Sequence, residues 1–276
     1  MSHIYDALRR ARGEKSRPGD PRSPEGTVPV EESGFVEVVE GEQGFARASG
    51  GLPEPRALVK GSLIGEPDFA FLRELDALRA NVEVILGRAA RRVIAFTGSM
   101  LGEGATTLAL HFAYLVAQVV EKRVLVVDGN LSRENIGLTS AIGDRPGLTE
   151  LLRGEVAPEE ALLRTENERL HFLPAGRDTV RYIEAVTSPR LRPLFDDLGT
   201  GYDWVVCDLS PVLDHPETPL VASACDGVVL VVRAHKTRRA LTQRGLDALN
   251  VARCRVLGTV LNAQRESLPS FLRDRV

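Results

Sequence analysis

The sequence predicts an α/β fold in which a mostly parallel sheet is covered by helices on both faces. Three observations predict it. Short, fully apolar runs such as Val124–Val127 and Val228–Val232 read as strands buried on both sides. Segments with helical spacing alternate with these runs along the chain, the order that a parallel sheet requires. A glycine-rich turn, from Gly98 to Gly104, leads from the first such strand into a helix.

In chain order, Met1–Arg10 reads as a short helix, with Ser2 able to cap it and Ile4, Tyr5 and Leu8 on one face. Residues 1–11 are therefore expected to form an N-terminal docking helix. Residues 12–61 are rich in Gly, Pro, Glu, Ser and Arg and show no sustained period. Such a segment buries too little apolar surface to offset the entropy of ordering, and it is expected to be a disordered linker. The domain proper is expected over 62–276, with order beginning near Glu66. Phe69, Leu72, Leu75, Leu78, Val82, Ile85 and Leu86 recur at helical spacing. Strands are then expected at Val93–Phe96, Val124–Val127, Leu170–Leu173, Trp204–Cys207, Val228–Val232 and Val256–Leu261. Helices are expected at Thr106–Val120, Leu148–Arg153, Pro189–Leu198 and Ala240–Val251.

Composition narrows the function. The chain has 276 residues, 43% of them hydrophobic, enough for a packed core. Its formal net charge of -3 gives no basic character of the kind that nucleic acid demands. Cys207, Cys225 and Cys254 are too widely spaced for a metal site or a disulfide framework, so reduced, partly buried thiols are expected. No apolar run approaches the ~20 residues of a membrane span, and there is no signal-peptide core. The expectation is a cytoplasmic chain that reaches the membrane only through a partner, without inserting.

The turn after the first strand carries the chemistry. It reads Thr97-Gly98-Ser99-Met100-Leu101-Gly102-Glu103-Gly104-Ala105-Thr106-Thr107. Strand, glycine-rich turn and helix N-terminus is the setting for phosphate: glycines admit close backbone approach, and free N–H groups and the helix dipole favour an anion. Gly102, Glu103, Gly104, Ala105, Thr106 and Thr107 are the candidate phosphate-binding residues, and Thr106 stands where a hydroxyl would bind Mg²⁺. Against the pattern G-x-x-x-x-G-K-[ST], Ser99 replaces the first Gly and Ala105 replaces the Lys. That Lys is the point charge on the β- and γ-phosphates. The other lysines, Lys15, Lys60, Lys122 and Lys236, are distant in sequence.

With the remaining strand ends added, the chain resembles the bacterial tyrosine kinases (BY-kinases) of capsule and exopolysaccharide systems, the CpsD/CapB-like family. The loop is similar to their P-G-E-G-K-S-T. Val124–Arg133 resembles their strand ending in D-x-D-x-R, and Val205–Pro211 resembles their Walker B strand. Gly258–Asn262 resembles their closing strand. Leu148–Gly154, Leu173–Gly176, Ser188–Arg192 and the N-terminal helix also match usual phrases of the family. The resemblance implies a P-loop NTPase fold of the deviant Walker A branch, with ATP or ADP and Mg²⁺ as cofactors. It implies that Asp128, the candidate catalytic acid, lies near Mg²⁺, that Asp208 is the metal-linked acid, and that Asn262 faces the adenine. It implies protein-tyrosine kinase activity and a transmembrane polysaccharide co-polymerase, or a kinase paralogue, as partner.

Departures from the family pattern accumulate. Asn130 replaces the second acid, and Ser132 replaces the basic residue, with Arg133 one step late. The family's oligomerisation helix carries E-x-x-R-x-x-R, where this chain has Arg73, Asp76 and Arg79. Homo-oligomers thus remain an expectation of the resemblance alone. The end of the chain, Leu268–Val276, lacks the family's tyrosine cluster, and Tyr5, Tyr114, Tyr182 and Tyr202 are scattered. Elsewhere, His111 reads as a packed or surface histidine, Asp214 and His215 as solvated loop residues, and Arg238–Arg239 as a solvated pair near the strand edge. The expected function is a pseudokinase regulating polysaccharide polymerisation and export, with cofactor binding weakened or lost. An active tyrosine kinase and a partitioning or positioning ATPase are the alternatives.

Overall fold

The computed structural model describes residues 35–37, 69–87, 89, 91–130, 145–177 and 179–263. The docking helix expected over 1–11, the linker expected over 12–61 apart from residues 35–37, and the chain from 264 onward lie outside the described residues. So do Ser132 and Arg133. The elements run β1 (Phe35–Glu37), α1 (Phe69–Leu86), β2 (Arg92–Gly98), α2 (Ala105–Gln118), β3 (Val124–Gly129), α3 (Leu148–Arg153), α4 (Pro158–Ala161) and β4 (Leu163–Arg164). They continue with β5 (Leu170–Leu173), α5 (Thr179–Val186), α6 (Leu191–Gly199), β6 (Trp204–Leu209), α7 (Thr218–Ser223), β7 (Gly227–Arg233), α8 (Arg239–Val251) and β8 (Val256–Asn262).

The strands form one sheet in the order β1-β8-β7-β2-β6-β3-β5-β4. Every pairing is parallel except the antiparallel contact of β4 with β5 at one edge. This is the mostly parallel α/β architecture of P-loop NTPases. β6 separates β2 from β3 in the sheet, so the turn after β2 opens beside the ends of both other strands. In open α/β sheets, ligands bind in this kind of crevice at the carboxyl ends of the strands.

The apolar runs become strands because each divides its side chains between two cores. Val93, Ala95, Leu125, Val127, Val205 and Cys207 join the cluster on one face, with Leu148, Tyr182, Phe195, Val221 and Leu249 from the helices there. Ile94, Phe96, Val124, Val126, Trp204 and Val206 join the cluster on the other, with Phe71, Leu75, Leu78 and Val82 of α1 and Leu108, Phe112 and Val116 of α2. A period of two along each strand thus feeds both layers at once. Phe112 sits at the centre of the second core, with ring centroids 5.3 Å from Phe96 and 5.4 Å from Trp204. His111 packs on the same helix: its Nδ1 lies 2.8 Å from the Thr107 carbonyl, and its ring meets Phe71 edge-on.

The three cysteines are buried and unbridged. On α1, Arg79 holds Asp76 at 2.7 Å and Glu83 at 2.7 Å, ion pairs within one helix. Among the described residues, no helix is long and apolar enough to cross a membrane.

Candidate phosphate-binding site

The loop is shaped from within by glycines and by a buried carboxylate. Gly98 ends β2, and a Cβ there would stand 2.7 Å from Glu103 Oε2, so only glycine fits without displacing that carboxylate. Gly102 and Gly104 take φ values of 79° and 88°, the left-handed region that favours glycine. Glu103 is buried at 3% exposure, and its Oε2 accepts the Met100 N–H at 3.0 Å. Its other oxygen accepts the hydroxyl of Thr237. Burial pushes the Glu103 carboxyl above its usual range, although these hydrogen bonds pull the other way. The Glu103 carbonyl accepts Asn262 Nδ2 at 3.0 Å, and Asn262 Oδ1 accepts the N–H of Ala263 at 2.8 Å. The Glu103 carboxylate thus braces the loop from within, and Asn262 braces it from β8.

Behind the loop the helix N-terminus is open. Gly104 is the N-cap of α2 and offers no side-chain cap. The first-turn N–H groups of Ala105, Thr106 and Thr107 are those that a helix cannot satisfy internally, and they suit an anionic acceptor. Ala105 itself is half-buried against the core below α2.

The carboxyl ends of β3 and β6 bring the acids to this helix. Asp128 and Asp208 are register partners across the two strands, and both are buried. Burial raises the Asp128 carboxyl to about 6, partly offset by the N–H of Asn130, which donates to Oδ1 at 3.0 Å. Asn130 connects the three elements. Its Nδ2 donates to Thr106 Oγ1 at 3.2 Å, and its Oδ1 accepts the Ser210 hydroxyl at 3.2 Å. Thr97 ties β2 to the same corner by donating to the Ser210 carbonyl at 2.7 Å. Thr106, Asp128 and Asp208 are thus gathered at one sheet edge. The donor set of two carboxylates and a hydroxyl fits Mg²⁺, which takes few protein oxygens and leaves the rest of its shell to phosphate and water. The buried charge of Asp128, which accepts the Asn130 N–H, is of the kind that a cation would stabilise.

The sequence did not signal the contribution of the turn between β7 and α8. Arg233 Nη1 donates to the Gly102 carbonyl at 3.0 Å. Lys236 Nζ lies 4.0 Å from where a Cβ on Gly102 would stand. Register explains the approach: β7 pairs with β2, Val231 lies opposite Gly98, and the chain just beyond β7 must rise beside the loop. Sequence distance concealed it, since Lys236 is far along the chain from Ala105. Asp214 is exposed, and its charge reaches Glu103 of the loop, whereas His215 Nδ1 lies 2.9 Å from Glu217 Oε1. Arg238 and Arg239 are exposed at the start of α8.

Known proteins are similar to this chain. Residues 91–256 match the family described as cellulose biosynthesis protein BcsQ. The tyrosine-protein kinase YwqD of Bacillus subtilis is 25% identical over 202 residues, covering 73% of this chain and 85% of that protein. The succinoglycan biosynthesis transport protein ExoP of Rhizobium meliloti is 27% identical over 205 residues, covering 72% of this chain but only 26% of ExoP. Among solved structures, the BceF tyrosine kinase domain superposes with a TM-score of 0.63 at 30% identity, covering 74% of this chain and 81% of that domain. The family match spans more than half of the chain and includes the loop, both acids and the basic turn. The chain therefore belongs to the family described as cellulose biosynthesis protein BcsQ, as a P-loop NTPase related to the tyrosine kinases of bacterial exopolysaccharide and capsule systems.

Proposed function

We propose that this chain is a nucleotide-binding pseudokinase that regulates exopolysaccharide or capsule polymerisation and export. One observation carries the reading: Ala105 occupies the place of the phosphate-loop lysine while Gly102, Gly104, Thr106, Asp128 and Asp208 persist around it. The backbone of Gly102–Thr107 would hold the phosphates of ATP or ADP, and Thr106, Asp128 and Asp208 would hold Mg²⁺. Bound Mg²⁺ supplies charge neutralisation at the phosphates. The chain's own residues orient the nucleotide, and Asn130 connects Thr106 to the strand ends. Asn130 cannot take a proton as the acid it replaces could.

The partner proposed is a transmembrane polysaccharide co-polymerase or a kinase paralogue, which would bring the chain to the inner face of the membrane. The match to ExoP supports this reading, because there the related segment is a quarter of a longer biosynthesis and transport protein. A working tyrosine kinase is the second reading, and Lys236 beside the loop favours it, because a cation is available there.

Calorimetric titration of the full chain with Mg-ATP, followed by phosphotyrosine blotting alone and with the co-polymerase partner, separates the two readings. Binding without phosphotyrosine is the expected result. Strong tyrosine phosphorylation that Asp128→Ala abolishes would overturn the pseudokinase reading.

A further inference from the structure

We infer that Lys236 supplies to a bound nucleoside di- or triphosphate the ammonium that position 105 lacks. The inference rests on the nucleotide reading above and adds the residue that meets the phosphates. It begins with the backbone. β7 ends at Arg233, opposite Asn262 of β8, and the chain then reverses. The Ala234 N–H donates to the Asn262 carbonyl at 2.8 Å, and the Thr237 N–H donates to the Arg233 carbonyl at 3.0 Å. His235 completes the reversal at a φ of 58°, a left-handed conformation that few side chains adopt and for which His is enriched. Without that residue's turn, Lys236 and Thr237 would continue away from the loop.

The reversal brings three side chains to the loop, two of which fasten it. The Thr237 hydroxyl donates to the Glu103 carboxylate, and Arg233 donates to the Gly102 carbonyl at 3.0 Å. Both bonds fasten the turn to the loop and fix its height. Lys236 is not used for fastening. Its Nζ stands beside Gly102, the residue is exposed, and among the described residues no hydrogen bond or ion pair holds its ammonium. A lysine ammonium is a compact charge on a flexible four-carbon stem, able to adjust to an anion that enters later. The anion has a defined place, since the open first turn of α2 begins two residues beyond Glu103. The loop is thus approached by a cation from β7–α8 in space rather than from α2 in sequence.

The test uses the full chain as wild type, Lys236→Ala, Lys236→Arg and, as a control at a lysine away from the loop, Lys122→Ala. Mg-ATP and Mg-ADP are titrated by calorimetry at several salt concentrations, and thermal melts verify folding. Lys236→Ala is expected to weaken both nucleotides about tenfold and to flatten the salt dependence of binding, as loss of a phosphate contact should. Lys236→Arg is expected to retain most of the affinity, and Ala105→Lys in the Lys236→Ala background to restore it. Wild type and Lys236→Ala binding Mg-ADP equally would overturn this inference while leaving the nucleotide reading intact. A folded wild-type chain that binds neither nucleotide would overturn both. Weakening with an unchanged salt dependence and no rescue by arginine would assign Lys236 a structural role and overturn the inference as well.

Discussion

Asp128 and Asp208 stand directly opposite each other at the carboxyl ends of adjacent parallel strands, and both are buried. Two carboxylates at one height in a sheet are costly without a counter-charge. Burial already holds the Asp128 carboxyl at about 6 rather than at its ordinary 3.8. Asp128→Asn removes one buried charge and keeps an acceptor for the Asn130 N–H. In the absence of nucleotide it is expected to stabilise the fold at neutral pH by on the order of 1–3 kcal/mol. It is also expected to abolish the Mg²⁺-dependent component of nucleotide binding. Chemical denaturation and calorimetry with and without Mg²⁺ check the two effects on the same samples.

Asn130 makes a second prediction possible, because it occupies the place of an acid and also connects three elements. Asn130→Asp keeps an acceptor for the Ser210 hydroxyl and loses the amide donor to Thr106 Oγ1. Thr106 can reverse its role, since a hydroxyl both donates and accepts. The added charge lies beside the acid pair. The variant is expected to be about 1 kcal/mol less stable than wild type without metal, the scale of one hydrogen bond made to a less favourable partner. Millimolar Mg²⁺ is expected to stabilise it more than wild type. A melting-temperature shift with Mg²⁺ no larger than that of wild type would count against a metal role for this corner.

The fold was legible because its signals are physical and local. Leu148–Arg153 and Leu170–Leu173 form at the predicted boundaries, and other strands extend the predicted ones by one to three residues, most of them polar or glycine, such as Asp128 and Gly129 after Val127. Apolar periodicity marks the buried centre of a strand and says little about its rim, where the functional residues sit. The short helices α4, α5 and α7 and the short strands β1 and β4 were not predicted: α7 has only six residues, with Pro219 in its first turn, too few for a helical period to show. The helix predicted from Pro189 begins two residues later, after a turn in which the Leu191 N–H donates to the Ser188 carbonyl. At the site, the loop and its acids were legible from motif order. The inward bracing by Glu103 and Asn262 was not, and neither was the basic turn of Arg233 and Lys236. Those contacts depend on strand order, which places β7 beside β2 and β8 next beyond it, and no local pattern encodes strand order.

Restoring the missing lysine should have opposite effects with and without ligand. Ala105 opens α2, and a positive charge in the first turn opposes the helix dipole by about 0.3–1 kcal/mol. Position 105 is half-buried, and the long stem can leave its charge in solvent. Ala105→Lys is expected to lower the stability of the nucleotide-free chain by that small amount and to raise Mg-ADP affinity tenfold or more. Denaturation midpoints and calorimetric titration measure both sides. Unchanged affinity in a folded variant would mean that the phosphates do not lie along the first turn of α2.

Glu103 gives a pH dependence whose sign is fixed by its environment. Burial holds its carboxyl above the ordinary value of 4.5, so the folded chain binds this proton more tightly than the unfolded chain does. Its contribution to stability is therefore fully present in acid, below the ordinary value, and is lost as pH rises through the elevated one. Glu103→Gln removes that ionisation while preserving the geometry. The amide oxygen can accept the Met100 N–H, and the amide nitrogen can donate to the Thr237 hydroxyl. Melting temperatures of wild type and Glu103→Gln, compared across the acidic to neutral range, should diverge as pH rises, with the variant gaining relative to wild type. The comparison between the two proteins cancels carboxyl groups that do not interact with Glu103, and Asp214, whose charge raises the Glu103 carboxyl further, adds to the divergence in the same sense. If the curves stay parallel, the carboxylate of Glu103 is compensated by its hydrogen bonds to the loop and to Thr237, and its charge is no burden to the fold. If they diverge in the opposite sense, the charged form is what draws the β7–α8 turn onto the loop, and Glu103→Gln should then also release Lys236 from its place beside Gly102.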